Sequence, residues 1–138
     1  LDKFIGDGLM VIFGAPQEDP YQEEHAITAA LEMQQELRIL CQKWETEGRT
    51  PIRIGIGITS GRMVAGYTGT QNRAIYTCIG DTVNLADRIQ EYTKEALRPL
   101  LIDSYTREGL PDGYKVEDLG RIVFKGKNQA VNVFAVMG

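Results

Sequence analysis

The stretch PIRIGIGITSG, residues 51–61, carries the clearest strand pattern in the chain. Isoleucine occupies every second position from Ile52 to Ile58, with arginine or glycine between, which is the period of a β-strand. Two of the intervening residues, Gly55 and Gly57, leave the opposite face of this strand without side chains. Because a glycine inside a strand indicates the close approach of another element, we expect a packed helix or a neighbouring chain against this face.

Two predicted helices flank this strand. The first is expected to begin with Asp19 as its N-cap and Pro20 in the first helical position, and to end near Gly48. Apolar residues recur through it at helical spacing. The second helix is predicted from about Asp81 to Leu97.

A hairpin and three short strands complete the predicted elements. In the hairpin, residues 2–13, Asp7-Gly8 is the favoured two-residue turn, and Leu9 to Phe13 is expected to be a strand buried on both faces. This order of elements predicts an α+β fold in which helices pack on one face of a sheet. The closing strands are predicted at 100–102, 114–118 and 131–136.

The bulk composition excludes some classes of partner. The chain has 138 residues, which suits one domain over 1–138, and a net charge of −4 argues against nucleic acid or an anionic membrane surface as a partner. Cys41 and Cys78 lack metal-type spacing, which favours a reduced, cytoplasmic setting. No apolar run approaches the length of a membrane span.

The second predicted helix has two distinct sides. Leu85 and Ile89 fall on one side, whereas Asn84 and Arg88 share the opposite side at a spacing of four residues. The simplest interpretation is a solvated polar face with an ion pair between Arg88 and Glu91. The alternative is that asparagine and arginine face a ligand together, which composition by itself does not decide.

Four motifs together favour the second interpretation. They resemble the catalytic domain of the class III nucleotidyl cyclases, most closely the bacterial adenylyl cyclases, and they occur in family order and at family spacing across essentially the whole chain. The resemblance implies the ferredoxin-like cyclase fold. The motifs are DKFIGDGLM (2–10), IGIGITSGRMVAG (54–66), YTCIGDTVNLADR (76–88) and VFKGK (123–127).

The resemblance assigns metal and phosphate contacts to three residues. Asp7 matches the metal-binding aspartate at the tip of the family's hairpin, and the implied metal is Mg²⁺ or Mn²⁺, which prefer carboxylate oxygens. Lys125 matches the lysine near the nucleotide's phosphates. Arg73 is a looser match to a phosphate contact. The family's second metal-binding aspartate has no counterpart in these residues, so we expect an N-terminally truncated domain with weak or no cyclase activity.

The resemblance assigns roles in binding the nucleoside and in stabilising the transition state to four further residues. Lys3 and Thr77 match the two positions that read the purine base, Asn84 the asparagine that orients the ribose, and Arg88 the arginine that stabilises the transition state. Lys3 can only donate hydrogen bonds, which suits N1 of adenine and favours ATP, whereas the hydroxyl of Thr77 can donate or accept. A guanylyl cyclase is the alternative enzyme.

The resemblance also implies a homodimer. In this family the active sites lie between two catalytic domains, so one chain would supply Asp7 while its partner supplies the other site residues. Cyclic symmetry of this kind is the commonest in homo-oligomers. A catalytically incomplete module that dimerises or regulates a partner is the competing function outside enzymes.

Overall fold

The computed structural model describes residues 3–5, 8–68, 75–125 and 129–137, and of 3–5, 64–68 and 75–79 it describes the backbone alone. Eight strands and three helices occur within these ranges. In chain order they are β1 (Lys3–Ile5), β2 (Gly8–Met10), α1 (Gln22–Thr46), β3 (Ile56–Ile58), β4 (Val64–Thr68), β5 (Ile75–Ile79), α2 (Asp81–Ala96), β6 (Leu100–Asp103), α3 (Ser104–Glu108), β7 (Lys115–Ile122) and β8 (Val131–Met137).

The central layer is a four-stranded mixed sheet with the order β3-β6-β8-β7. β3 and β6 are parallel, and the pairs β6–β8 and β7–β8 are antiparallel. Within the described residues, β1–β2 and β4–β5 form two separate antiparallel hairpins. The predicted α+β class is confirmed.

The side chains of β6 alternate between two apolar clusters. Leu100 and Ile102 pack with Ile27 of α1, whereas Leu101 packs with Leu85 and Ile89 of α2. Because successive residues of a strand point to opposite faces, α1 and α2 cover opposite faces of the sheet. The expectation that the helices share one face is therefore corrected to a three-layer arrangement.

Gly55, just before β3, and Gly57 within it allow α2 to pack closely on one face of the sheet. A Cβ atom at Gly57 would lie 2.5 Å from the backbone nitrogen of Gln90 and 2.6 Å from the carbonyl oxygen of Ala86. A Cβ at Gly55 would collide with Thr93. The expected close neighbour of the glycine face is thus α2, whose backbone lies directly on the strand.

The strand predicted from Ile52 is shorter than its pattern suggests, because pairing begins at Ile56. The side-chain amide of Gln34 donates to the carbonyl oxygen of Ile54 over 3.0 Å, and the Cys41 thiol donates to that of Ile52 over 3.4 Å. Ile52 and Ile54 remain 46% and 41% exposed. Side chains of α1 therefore hold this segment in place of a neighbouring strand.

Two further sequence predictions need adjustment. Gly8 pairs with Ile5, so it belongs to β2 and not to the turn; the predicted turn residue Asp7 lies outside the described residues. The strand predicted to Phe13 ends at Met10. Asp19 accepts a hydrogen bond from the backbone N–H of Tyr21 in a turn, and α1 begins after that turn.

Candidate active site

Helix α2 carries the two site residues whose side chains the structure describes most fully. Leu85 and Ile89 are buried against the sheet, whereas Asn84 is exposed and Arg88 is half-buried on the other side. The two-sided helix expected from the sequence is confirmed. Its Asn84–Arg88 side is open to a ligand or to another chain.

Arg88 has no ion pair among the residues that the structure describes. The simplest interpretation of the sequence paired it with Glu91, one turn away, and that pair is not formed. A half-buried guanidinium suits a phosphate, because its planar fork matches two oxygens at once. The polar side of α2 therefore offers an anion-binding group.

The start of α2 is fixed from outside the helix. Gly80 precedes it with φ 143°, a conformation that favours glycine, and no side chain caps the first turn. The hydroxyl of Thr59 donates to the carbonyl oxygen of Thr82 over 2.7 Å, and the hydroxyl of Thr82 donates to that of Arg62 over 2.9 Å. These two bonds join the first turn to the loop that follows β3.

Lys125 lies in the connection between β7 and β8 and is exposed. Its neighbour Phe124 is buried in the cluster that covers α2, with its ring edge-on to Tyr92 at a centroid distance of 5.7 Å. This packing anchors the backbone before Lys125 to the same face of the sheet as Asn84. The expected phosphate contact of Lys125 stays a prediction.

The other predicted site residues are placed only in part. Lys3 pairs with Met10 in the first hairpin and Thr77 with Gly66 in the second, and only their backbones are described. Asp7 and Arg73 lie outside the described residues. The roles assigned to these four residues therefore stay predictions.

A buried polar cluster that the sequence analysis missed lies where β3 and β6 end. Asp103 is only 2% exposed and accepts a hydrogen bond over 3.0 Å from the backbone N–H of Thr106, which caps α3. The hydroxyls of Ser60 and Thr106 are 2.8 Å apart. Burial raises the pKa of Asp103, although the bonds from Thr106 oppose that shift. An aspartate directly after the apolar run LLI, three residues before a threonine, was the available signal.

The described residues hold no group of three or more histidine, cysteine or acidic side chains that could bind a metal. The predicted metal ligand, Asp7, lies outside them. In the described part of the chain, no helix has the length and apolar character needed to cross a bilayer.

Comparison with known proteins identifies one family. The family described as the adenylate and guanylate cyclase catalytic domain matches residues 3–138. The terminal-differentiation specific adenylate cyclase of Dictyostelium discoideum is 34% identical over 141 residues, which cover 99% of this chain and 6% of that protein. The chain spans between 6% and 28% of the three curated cyclases first compared with it.

Two solved structures share the fold over 99% of this chain. The adenylyl cyclase CyaB from P. aeruginosa superposes with a TM-score of 0.86 at 32% identity, and 70% of its chain is covered. The guanylyl cyclase Cya2 gives a TM-score of 0.88 at 34% identity, with 68% covered. The ferredoxin-like cyclase fold expected from the sequence motifs is thus confirmed, while the neighbours include both nucleotide specificities.

Proposed function

Because the chain belongs to the adenylate and guanylate cyclase catalytic domain family, we propose that it acts in an adenylyl cyclase, which converts ATP into 3′,5′-cyclic AMP and pyrophosphate. The observation that carries this proposal is the open side of α2, where exposed Asn84 and half-buried Arg88 lie one turn apart and Arg88 has no ion pair among the described residues. A half-buried guanidinium that meets no carboxylate among the described residues supports a role in binding phosphate, whose oxygens its planar fork matches.

The reaction is an in-line displacement at phosphorus. The 3′-oxygen of the ribose forms a bond to the α-phosphorus, the bond from that phosphorus to the bridging oxygen breaks, and pyrophosphate leaves; the hydroxyl proton passes to solvent. Negative charge on the phosphoryl oxygens is redistributed in the transition state, where Arg88 donates to them. Asn84 holds the ribose so that its hydroxyl faces the phosphorus.

A divalent cation fits the chemistry of the proposed site. Asp7, which lies outside the described residues, would hold Mg²⁺ or Mn²⁺ with its carboxylate, because these ions prefer oxygen ligands. A bound metal ion lowers the pKa of the attacking hydroxyl and offsets the charge of the phosphates. Lys125, and Arg73 as the looser match, would contact the phosphates.

Base recognition distinguishes the two nucleotide specificities. Lys3 donates to N1 of adenine, which is an acceptor, while N1–H of guanine is a donor that a lysine cannot pair with. The hydroxyl of Thr77 accepts from the adenine amino group. The guanylyl cyclase Cya2, 34% identical to this chain, makes GTP the second candidate substrate.

The proposed site also needs a second copy of the chain. Asp7 would serve one active site, and Lys3, Thr77, Asn84 and Arg88 of the same chain the other, in a homodimer with two equivalent sites. A regulatory module that dimerises without catalysis is the second candidate function, and it would bind nucleotide without turning it over.

The deciding experiment incubates the full-length protein with ATP or GTP in the presence of Mn²⁺ and measures cyclic nucleotide and pyrophosphate. We expect cyclic AMP in excess over cyclic GMP. Arg88→Ala should lower turnover about a hundredfold or more, because a preorganised charge stabiliser is lost. Lys94→Ala, an exposed cation on the same helix, is the matched control and should retain activity. Equal activity of Arg88→Ala and wild type would contradict the proposal.

A further inference from the structure

Thr59 connects the strand with the glycine face to the helix with the proposed catalytic side chains. It follows directly after β3, and its hydroxyl donates to the carbonyl oxygen of Thr82 in the first turn of α2 over 2.7 Å. The hydroxyl of Thr82 donates onward to the carbonyl oxygen of Arg62. The loop after β3 therefore holds the first turn of α2 at two points.

This attachment replaces the usual means of fixing a helix start. A Ser, Thr, Asp or Asn at the N-cap normally binds the free N–H groups of the first turn, but Gly80 occupies that position in α2. Asn84 lies two residues after Thr82, and Arg88 follows one turn later on the same side. A displacement of the first turn would therefore move both proposed catalytic side chains.

Gly57 restricts the same helix in a different direction. A Cβ at this position would lie 2.5 Å and 2.6 Å from backbone atoms of Gln90 and Ala86, so the helix already sits as close to the strand as its backbone allows. Contact with Gly57 determines the height of α2 above β3. This contact does not prevent α2 from sliding along the strand, and the hydrogen bond from the Thr59 hydroxyl opposes that motion.

We propose that Thr59 is a positioning residue for the cyclisation reaction. Its hydroxyl fixes the first turn of α2 along β3 and thereby aims Asn84 at the ribose and Arg88 at the α-phosphate. The inference rests on the proposed function, because it assigns Thr59 a task in that reaction. Misplacement of catalytic groups by about 1 Å can lower a rate on the order of a hundredfold.

The test compares three variants in the full-length protein. Thr59→Val removes the hydroxyl and keeps the branched shape that suits the end of a strand, whereas Thr59→Ser keeps the hydroxyl. Ser60→Ala is the matched control, because it removes the adjacent half-buried hydroxyl, which bonds Thr106 and not α2. We expect Thr59→Val to lower kcat about 10- to 100-fold with little change in KM for ATP, Thr59→Ser to recover most of kcat, and Ser60→Ala to resemble wild type.

Two results would overturn the inference while the proposed function stands: unchanged kcat in folded Thr59→Val, or an equal loss in Ser60→Ala. If the wild-type protein forms no cyclic nucleotide, the proposed function fails and hydrogen exchange decides the positioning role. Faster exchange of the α2 amides over 83–89 in Thr59→Val than in Ser60→Ala supports a fixed first turn, and equal exchange in the two variants refutes it.

Discussion

Helices α1 and α2 cover opposite faces of one sheet, but they are attached to it differently. The buried residues of α2, Leu85, Ile89 and Thr93, extend from its second turn to its last. Those of α1, which is 25 residues long, end at Ala30. The helix with the proposed catalytic side chains is thus the one that the sheet fixes along its length.

A cavity of about 210 Å³ lies between the middle of α1, the start of β6 and the end of β8. No such space exists between α2 and β3, where backbone meets backbone at Gly57. Close backbone packing fixes the distance of α2 from the strand, whereas long side chains around a cavity can repack. The contact with β3 is thus closer in α2 than in α1, which reaches the segment before β3 through the side chains of Gln34 and Cys41. The cavity is lined by Leu31, Gln34, Arg38, Arg98, Pro99, Leu100, Val136 and Met137.

The largest expected difference between the two helices is in the cost of truncating an apolar side chain. Ile89 of α2 is fully buried, and Leu40 in the second half of α1 is 39% exposed. Ile89→Ala should lower the free energy of unfolding by about 2–5 kcal/mol, and Leu40→Ala by less than about 1 kcal/mol. Urea unfolding measures both, and equal losses would contradict the comparison.

Glycine replacement tests the backbone contact directly. Gly57→Ala places a methyl group against the α2 backbone, so the helix must move; a cost of about 1–3 kcal/mol is typical of overpacking. Turnover should fall as well, because Asn84 and Arg88 move with the helix. The measurements are urea unfolding and the cyclase assay on the same samples.

Gly109→Ala is the matched control for this replacement. The three atoms nearest to a Cβ there, at 2.6–3.0 Å, all belong to the side chain of Glu23 and not to backbone, and the backbone at this position is already suited to any residue. The control should therefore be nearly neutral in stability and activity. A Gly57→Ala protein that behaves like it would show that α2 has room to shift.

The sequence predicted α2 better than it predicted the surroundings of α1, for the same physical reason. The bounds of α2 and its two-sided pattern follow from local periodicity, and glycine at the alternate positions Gly55 and Gly57 indicated a closely packed neighbour. The residues before Ile56 form no strand pair, because the side chains of Gln34 and Cys41 donate hydrogen bonds to the carbonyl oxygens that a strand partner would need. Such competition for hydrogen bonds between residues far apart in the chain leaves no local pattern in the sequence.

The residues of the proposed site also divide into those that a local sequence pattern predicts and those that it does not. Asn84 and Arg88 share a helix side, so spacing predicted their grouping, whereas a single threonine after a strand has no pattern that marks Thr59 as a contact of α2. The sequence also did not show on which face of the sheet each helix packs, because alternation in β6 indicates two apolar faces but not which helix covers each. Only the folded chain brings these distant residues together.

The smallest expected effect concerns Asp103, at the end of the sheet where α2 begins. Burial raises its pKa above the ordinary value of 3.8, so the native state binds this proton more tightly than the unfolded chain does. Since stability falls with pH wherever the native state binds more protons, the contribution of Asp103 is greatest below that value and is lost as the pH rises through the native pKa. Asp103→Asn keeps an oxygen acceptor for Thr106 and should remove this dependence.

The measurement is urea unfolding of wild type and Asp103→Asn from about pH 4 to 7, since other carboxylates cancel in the difference between them. The variant should gain stability relative to wild type as the pH rises. Asp118→Asn is the matched control, because Asp118 also accepts a backbone N–H bond, from Gly120, but is exposed. A constant difference for Asp103→Asn across this range would mean that the charge of the buried carboxylate is fully compensated.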